Sequence, residues 1–302
     1  MTAVTTAPPL QRNDARLGIA LMALTSFIFS MQDGLSRHLA EATNVYMVVM
    51  VRFWFFAAFV ILLGRAQQGS VRAAAATSQP FLQIVRAVLL VAEICVTIYA
   101  FTLLGLAQSH AIFAACPLII AALSGPVLGE TVGWRRWTAI GVGFLGILVI
   151  LRPGVAVFDS GALVALAGAF MFALYGLLTR LAGRRDSSAT SFFWTGVGGA
   201  VAMTAVGMFH WQPMAAGDWA MMALLCLSGV AGHWLLIKVY EVAEASTVQP
   251  FAYLQLVFAS AIGVTVFGET LHATTVIGAA IVVGAGLFTL WRERARRRKV
   301  PA

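Results

Sequence analysis

Ten apolar stretches, each about the length a helix needs to cross a bilayer, follow one another along this chain: Leu17–Ser36, Val45–Gly64, Ile84–Leu104, Gln108–Leu128, Trp134–Leu151, Gly161–Leu181, Thr190–Phe209, Asp218–Lys238, Ala245–Gly268 and Ala273–Trp291. A hydrocarbon core of about 30 Å takes roughly 20 residues of helix. The stretches lack the alternation of barrel strands. They therefore predict helices, whose backbone polar groups are satisfied within the segment. Only 11% of the 302 residues are charged and 60% are hydrophobic. That is too little charge to cover a water-soluble globule and too much hydrophobicity for disorder. The longest gap, Arg65–Gln83, is a polar, Ala-rich loop that leaves no room for a soluble domain. Residues 1–15 are polar and expected to be disordered. They do not read as a signal peptide, because the first apolar run is of spanning length and lacks a small-residue cleavage site.

The net charge of +8 is a matter of topology. With the N-terminus cytoplasmic and the sides alternating, 17 of the 20 basic residues fall on the cytoplasmic side, among them Arg65, Arg86, Arg135, Arg184 and the six of the C-terminal tail. Arg37 and Arg152 fall outside, and Arg52 lies within a span. Positive residues concentrate on the cytoplasmic side of membrane proteins, so both termini are expected there. The basic tail directly follows a span and reads as a contact to anionic lipid rather than to nucleic acid. Cys95, Cys116 and Cys226 lie in apolar runs without CxxC spacing, and they predict neither a disulfide framework nor a metal site.

The chain also repeats itself. Leu21-x-Ala23-Leu24 recurs as Leu163-x-Ala165-Leu166 at an offset of 142, Tyr99 and Gln108 recur as Tyr240 and Gln249 at 141, and Gly129-Glu130-Thr131 recurs as Gly268-Glu269-Thr270 at 139. Each half holds five spans, an odd number, so the second half enters the membrane from the opposite side. The expected fold is an all-α polytopic membrane protein with ten transmembrane helices in two inverted-topology five-helix repeats. Its divisions are a tail at 1–15, a first repeat at 16–154, a second at 155–291 and a basic cytoplasmic tail at 292–302. Inverted repeats point to secondary transport.

Arg52-Phe53, Tyr99, Pro117, Gly129-Glu130-Thr131, Gly141 and the run from Gln249-Pro250-Phe251-Ala252-Tyr253-Leu254-Gln255 through Gly268-Glu269-Thr270 to Gly278 resemble the EamA-type members of the drug/metabolite transporter superfamily. The overall pattern is most similar to the YddG-type bacterial amino-acid exporters. The second half departs by placing Leu256 where the first has Pro117, with Pro250 six residues earlier. The resemblance implies a basket of helices around a central cavity, lined by spans 1–4 and 6–9, that moves small metabolites.

Ionisable groups inside a membrane are costly and mark function by default. Arg52 and Glu93 lie about 10 Å and about 16 Å below the outer ends of their helices, at 1.5 Å per residue. They can pair with each other or meet the carboxylate and ammonium of an amino acid, and Glu93 can also exchange a proton. Gln32 and Asp33 read as interfacial. His110 and His233 are either hydrogen-bonded core or a proton relay. Tyr99 and Tyr240 are either paired gates or aromatic-belt residues. Tyr175 and Tyr253, with Trp54, Trp194, Trp234 and the motif residue Gln255, are candidates for an aromatic cavity, lipid-facing placement being the alternative for the tryptophans. Pro117 and Pro250 each remove a backbone hydrogen bond and are candidate hinges, or kinks that aid packing. Glu130 and Glu269 fit the first turns of spans 5 and 10, complementing the helix dipole. Gly125-x-x-x-Gly129, Ala280 and Gly284 read as close helix packing.

No GxxxxGK[ST], HExxH or GxSxG is present, so the sequence offers no ATPase, zinc-protease or hydrolase signature. The expected function is a secondary transporter, not an enzyme, exporting amino acids including aromatic ones across the bacterial inner membrane by alternating access. The alternatives are another solute, such as S-adenosylmethionine, a nucleotide precursor or a cationic drug, or a lipid-modifying membrane enzyme. No cofactor, metal or nucleic acid is expected. The partners are the solute, the bilayer and, for coupling, protons, with the chain a monomer or a weak homo-oligomer.

Overall fold

The computed structural model describes residues 14–129, 133–151, 160–243 and 245–297, and these are helical apart from short connections. The helices are α1 (Ala15–Ala42), α2 (Val45–Gln68), α3 (Val71–Ala75), α4 (Pro80–Leu104), α5 (Leu106–Phe113), α6 (Cys116–Leu128), α7 (Trp134–Leu151), α8 (Ser160–Ala182), α9 (Ser188–Gly207), α10 (Ala216–Val242), α11 (Ala245–Val248), α12 (Leu254–Phe267) and α13 (Ala273–Arg297). Nine of the described helical segments are long and apolar enough to cross a membrane, counting Leu106–Leu128 and Gln249–Phe267 as one each. The remaining apolar helix, α7, has a shorter apolar stretch, Trp137–Leu151. The short helix α3 in the first long connection was not expected. The tail expected at 1–15 lies outside the described residues as far as residue 13; Asp14 caps α1, its carboxylate accepting from the Leu17 amide at 3.0 Å. Asn44, Ser70 and Ser187 cap α2, α3 and α9 in the same way, satisfying amides that have no partner within the helix.

Packing follows the duplication. α1 packs on α10 as α4 packs on α8, and α1 packs on α12 as α6 packs on α8. α2 lies against α9, and α7 against α13. Exchanging the two halves maps this set of neighbours onto itself. The α7–α13 contact depends on glycine: a Cβ on Gly278 would come within 2.6 Å of the Gly146 carbonyl oxygen, and one on Gly146 within 2.9 Å of that of Gly278. Two other expected packing residues behave differently. Gly284 faces open space, and Gly129, with φ +75°, is the left-handed C-cap of α6.

Each half contains a broken span. In the first, a turn at Ala114–Ala115 separates α5 from α6, with Pro117 in the first turn of α6. There the missing proline N–H falls where the helix has none to lose. In the second, a 3-10 stretch at Gln249–Tyr253, with Pro250 near its start, joins α11 to α12. The second break lies a few residues earlier in its repeat than the first, as the earlier position of Pro250 relative to Pro117 led one to expect, and the two are made by different local chemistry.

Contacts between helix ends divide them between two faces. On one, the Asp14 amide donates to the Val242 carbonyl and Gln79 to that of Ala182. On the other, Asn44 donates to the His210 carbonyl and His38 lies 3.3 Å from Asp218. These are called the N-terminal face and the far face below.

Candidate functional site

A central cavity of about 570 Å³ lies between the two halves, within the range of small-molecule sites. It is lined from α1, α2, α4, α5 and α6 in the first half and from α8, α9, α10, the 3-10 stretch and α12 in the second. α13 adds only Leu290, and α7 does not reach it.

The charged groups, Asp33, Arg52 and Glu93, all lie on the first half. The Arg52 guanidinium donates to Gln32 Oε1, and the Gln32 Nε2 has no partner among the described residues although the residue is only 3% exposed. Glu93, 4% exposed, accepts from Thr97 Oγ1 at 2.6 Å, one helical turn along α4. Among the described residues, no ion pair joins Arg52 to Glu93. Asp33 accepts from Gln255 Nε2 at 3.1 Å, tying α1 to α12, and Ser30 donates to the Gln255 carbonyl at 3.0 Å. His110 stacks on Phe101, with ring centroids 5.4 Å apart. Its Nε2 is 3.1 Å from Asp33 Oδ2 but lacks hydrogen-bond alignment, and among the described residues it has no hydrogen-bond partner. The other part of the cavity is aromatic. His233 is surrounded by Phe29, Phe56 and Phe192, with ring centroids 5.5, 6.3 and 6.2 Å away.

Of the residues singled out from sequence, the structure brings Arg52, Glu93, His110, Tyr175, His233, Tyr253, Gln255 and Pro117 to this cavity. Trp54 is 42% exposed, points away, and donates to Thr204 Oγ1 at 2.7 Å. Tyr99 is 51% exposed and does not line the cavity. Pro250 is flanked by the lining residues Gln249 and Ala252 without lining it. Tyr240 belongs to α10, and its side chain lies outside the described residues. Trp194 donates to the Ala75 carbonyl and Trp234 is exposed beside Lys238; neither lines the cavity. Gln32 and Asp33, read as interfacial, are cavity residues instead. α1 runs six residues beyond Ser36, the end expected for its span, so both lie deeper than the apolar run suggested.

The cavity ends differ. Toward the far face Gln32, Ser36, Phe101 and His110 are buried, whereas Phe56, Tyr175, Phe192 and Leu236 are half-buried and His233 is exposed. About one helical turn beyond His110, the Glu269 carboxylate accepts from the amides of Leu106 at 2.7 Å and Ala107 at 3.0 Å and pairs with Arg37. Arg37 lies 4.2 Å over the Phe267 ring and also pairs with Glu41. Gly105, at φ +83° and ψ 172°, turns the chain between α4 and α5; a Cβ there would come within 2.5 Å of the Glu269 carboxylate, as would one on Gly263. Glu269 thus caps α5 in the first half, not α13 as expected; the corresponding Glu130 lies outside the described residues. Toward the N-terminal face, Arg86 was expected as a cytoplasmic topology marker but is 1% exposed. It donates to Gln83 Oε1 and Thr179 and lies 5.3 Å from the Tyr175 ring centroid. Gln83 in turn donates to Asp186 at 2.7 Å. Partial burial pushes the Asp186 carboxyl up, but hydrogen bonds from Thr77, Gln83 and Ser78 outweigh it and hold it below the usual carboxylate range.

The profile of the EamA-like transporter family matches residues 16–152 and again residues 159–291. The chain belongs to the EamA-like transporter family. Among curated relatives of this EamA-like protein, the S-adenosylmethionine uptake transporter of Rickettsia prowazekii is 27% identical over 277 residues, covering 92% of this chain and 93% of that one. The riboflavin transporter of Vibrio cholerae is 30% identical over 194 residues, covering 64% and 65%. A crystal structure of a protein 18% identical in sequence superposes with a TM-score of 0.60 over 94% of this chain and 99% of its own, a likeness of fold. This is a multi-pass membrane transporter. The narrower similarity to YddG-type amino-acid exporters is not supported, since these named relatives carry other solutes.

Proposed function

We propose that this EamA-like transporter moves a small organic metabolite through the central cavity by alternating access, and that S-adenosylmethionine is its solute. The carrying observation is one cavity, walled by both halves, that holds Arg52, Glu93 and Asp33 beside the aromatic group around His233. S-adenosylmethionine combines a carboxylate, an ammonium, a sulfonium and a planar adenine. The carboxylates suit its cationic groups, and cations also favour aromatic faces. Arg52 suits its carboxylate, and the rings suit adenine. The name of the Rickettsia relative supports the same solute. Aromatic amino acids are the second reading, because the same charged and aromatic groups fit an amino-acid head and a ring.

In this proposal α7 serves as the tenth span, the repeats run 16–154 and 155–291, and the N-terminal face is cytoplasmic in a bacterial inner membrane, as the basic residues favour. A solute or proton gradient supplies the energy. The test is counterflow in proteoliposomes with labelled S-adenosylmethionine, riboflavin and phenylalanine, with and without an imposed pH gradient. Accumulation of S-adenosylmethionine alone is the expected result; flux of riboflavin or phenylalanine in its place refutes the solute, and flux of none refutes transport of these classes.

A further inference from the structure

The geometry points to Arg52 and Gln32 as a carboxylate subsite, so that the solute must carry a free carboxylate; this rests on the transport reading above and narrows its solute class. Arg52 lines the cavity, and among the described residues its one hydrogen bond goes to a neutral amide, Gln32 Oε1. No carboxylate among the described residues pairs with it. A guanidinium held this way keeps most of its five donors, and the charges of Asp33 and Glu93 act on it only from beyond ion-pair distance, so those donors are open to a ligand. Gln32 has its oxygen occupied by Arg52, which leaves Nε2 as a second donor on the same side chain. That nitrogen is buried and without a partner among the described residues, in a side chain whose residue is 3% exposed. Two donors from adjacent helices, one cationic and both lining a single cavity, match the two oxygens of a carboxylate, for which arginine's planar fork is suited.

The nearby acids do not compete for this place. Glu93 is held by Thr97 on α4, and Asp33 faces Gln255 and His110. They remain available for the cationic part of the same solute. The subsite thus divides the solutes of the named relatives. S-adenosylmethionine and free amino acids have the required group, whereas riboflavin does not.

The experiment measures binding to the purified full chain in detergent, using two acids and their carboxyl-free analogues: S-adenosylmethionine against decarboxylated S-adenosylmethionine, and phenylalanine against phenethylamine, with riboflavin as a fifth probe. The acid of at least one pair should bind about 10-fold or more tighter than its analogue. Arg52→Gln should bring that ratio to about one. Should Arg52→Gln not fold, Gln32→Glu replaces it: an internal carboxylate on Arg52 should weaken the acid and spare the analogue. Equal binding of acid and analogue, an unchanged ratio in the folded variant, or binding of riboflavin alone overturns the subsite while leaving transport standing. Binding of none of the five probes overturns the solute reading and the subsite with it.

Discussion

Replacing Glu269 by alanine removes one side chain that does three jobs at the far end of the cavity. It accepts two backbone amides at the start of α5, those of Leu106 and Ala107, and it neutralises Arg37. Losing a helix cap costs about 1 kcal/mol. Breaking a buried ion pair by deleting one partner costs about 3–5 kcal/mol. Here the side chains of Arg37 and Glu269 retain 14% and 13% exposure, and Glu41 remains to pair with Arg37. The pair is therefore worth less than that range, and the two contributions together come to roughly 3 kcal/mol. At about 2–4 °C per kcal/mol for a large domain, the midpoint of thermal unfolding in detergent should fall by roughly 6–12 °C. A double-mutant cycle with Arg37→Ala should show coupling of about 1 kcal/mol or more. Because Ser36 is buried next to this clasp, Ser36→Cys, with Cys95, Cys116 and Cys226 replaced, should react faster with an impermeant maleimide once Glu269 is gone. An unchanged midpoint together with an additive cycle would refute the capping argument.

Gly105→Ala should destabilise by about 1–3 kcal/mol, since φ +83° with ψ 172° is a conformation that only glycine readily adopts; Gly69→Ala, left-handed but in open space, should cost less by the same melting assay. Asp186 has a depressed pKa in the folded chain, so its contribution is fully present above the ordinary carboxylate pKa of about 4 and fades as pH falls through the lower folded value. Asp186→Asn should therefore lower the unfolding midpoint at pH 7 and flatten its decline in acid, whereas an unchanged acid limb would argue against the contribution. Gly278→Leu should separate α7 from α13, seen as lost helicity or a lower midpoint, because its Cβ would already touch the Gly146 carbonyl.

The spans were legible because they depend on composition averaged over about 20 residues, where a single error is diluted, and the duplication because several short matches recur in order at a near-constant offset. Arg52 and Glu93 were legible as cavity residues for a simpler reason: a charge in a spanning helix has few tolerable surroundings. Gln32 and Asp33 were misplaced because depth was inferred from where the apolar run ends, and α1 continues well past it. The tryptophans could not be sorted, since Trp54 meets lipid and cavity requirements equally until α2 is rotated against α9. Glu269 shows a different limit. Its preference for a helix N-terminus was readable, but the helix it caps, α5, lies 162 residues away along the chain. Only the tertiary fold chooses between that terminus and the nearer one at Ala273. The hollow that admits its carboxylate is made by Gly105 and Gly263, which in sequence are two glycines among 28.

The two ends of the cavity differ in what opening them would disturb. At the far face the Glu269 clasp joins the second half to α1 and to the broken span of the first, so the halves cannot part there without breaking it. At the N-terminal face the chain Asp186–Gln83–Arg86 ends on Tyr175 and Thr179 of α8. It supports the cavity wall without closing over the aromatic group around His233. A two-state equilibrium swings from 1:99 to 99:1 over about 5.5 kcal/mol. In the alternating access proposed above, a clasp of roughly 3 kcal/mol is large enough to bias the protein toward a closed far face. It is also small enough for a solute that binds the other state more tightly to offset. A much stronger clasp would trap the protein in one state, and a much weaker one would let both faces open together, which alternating access forbids.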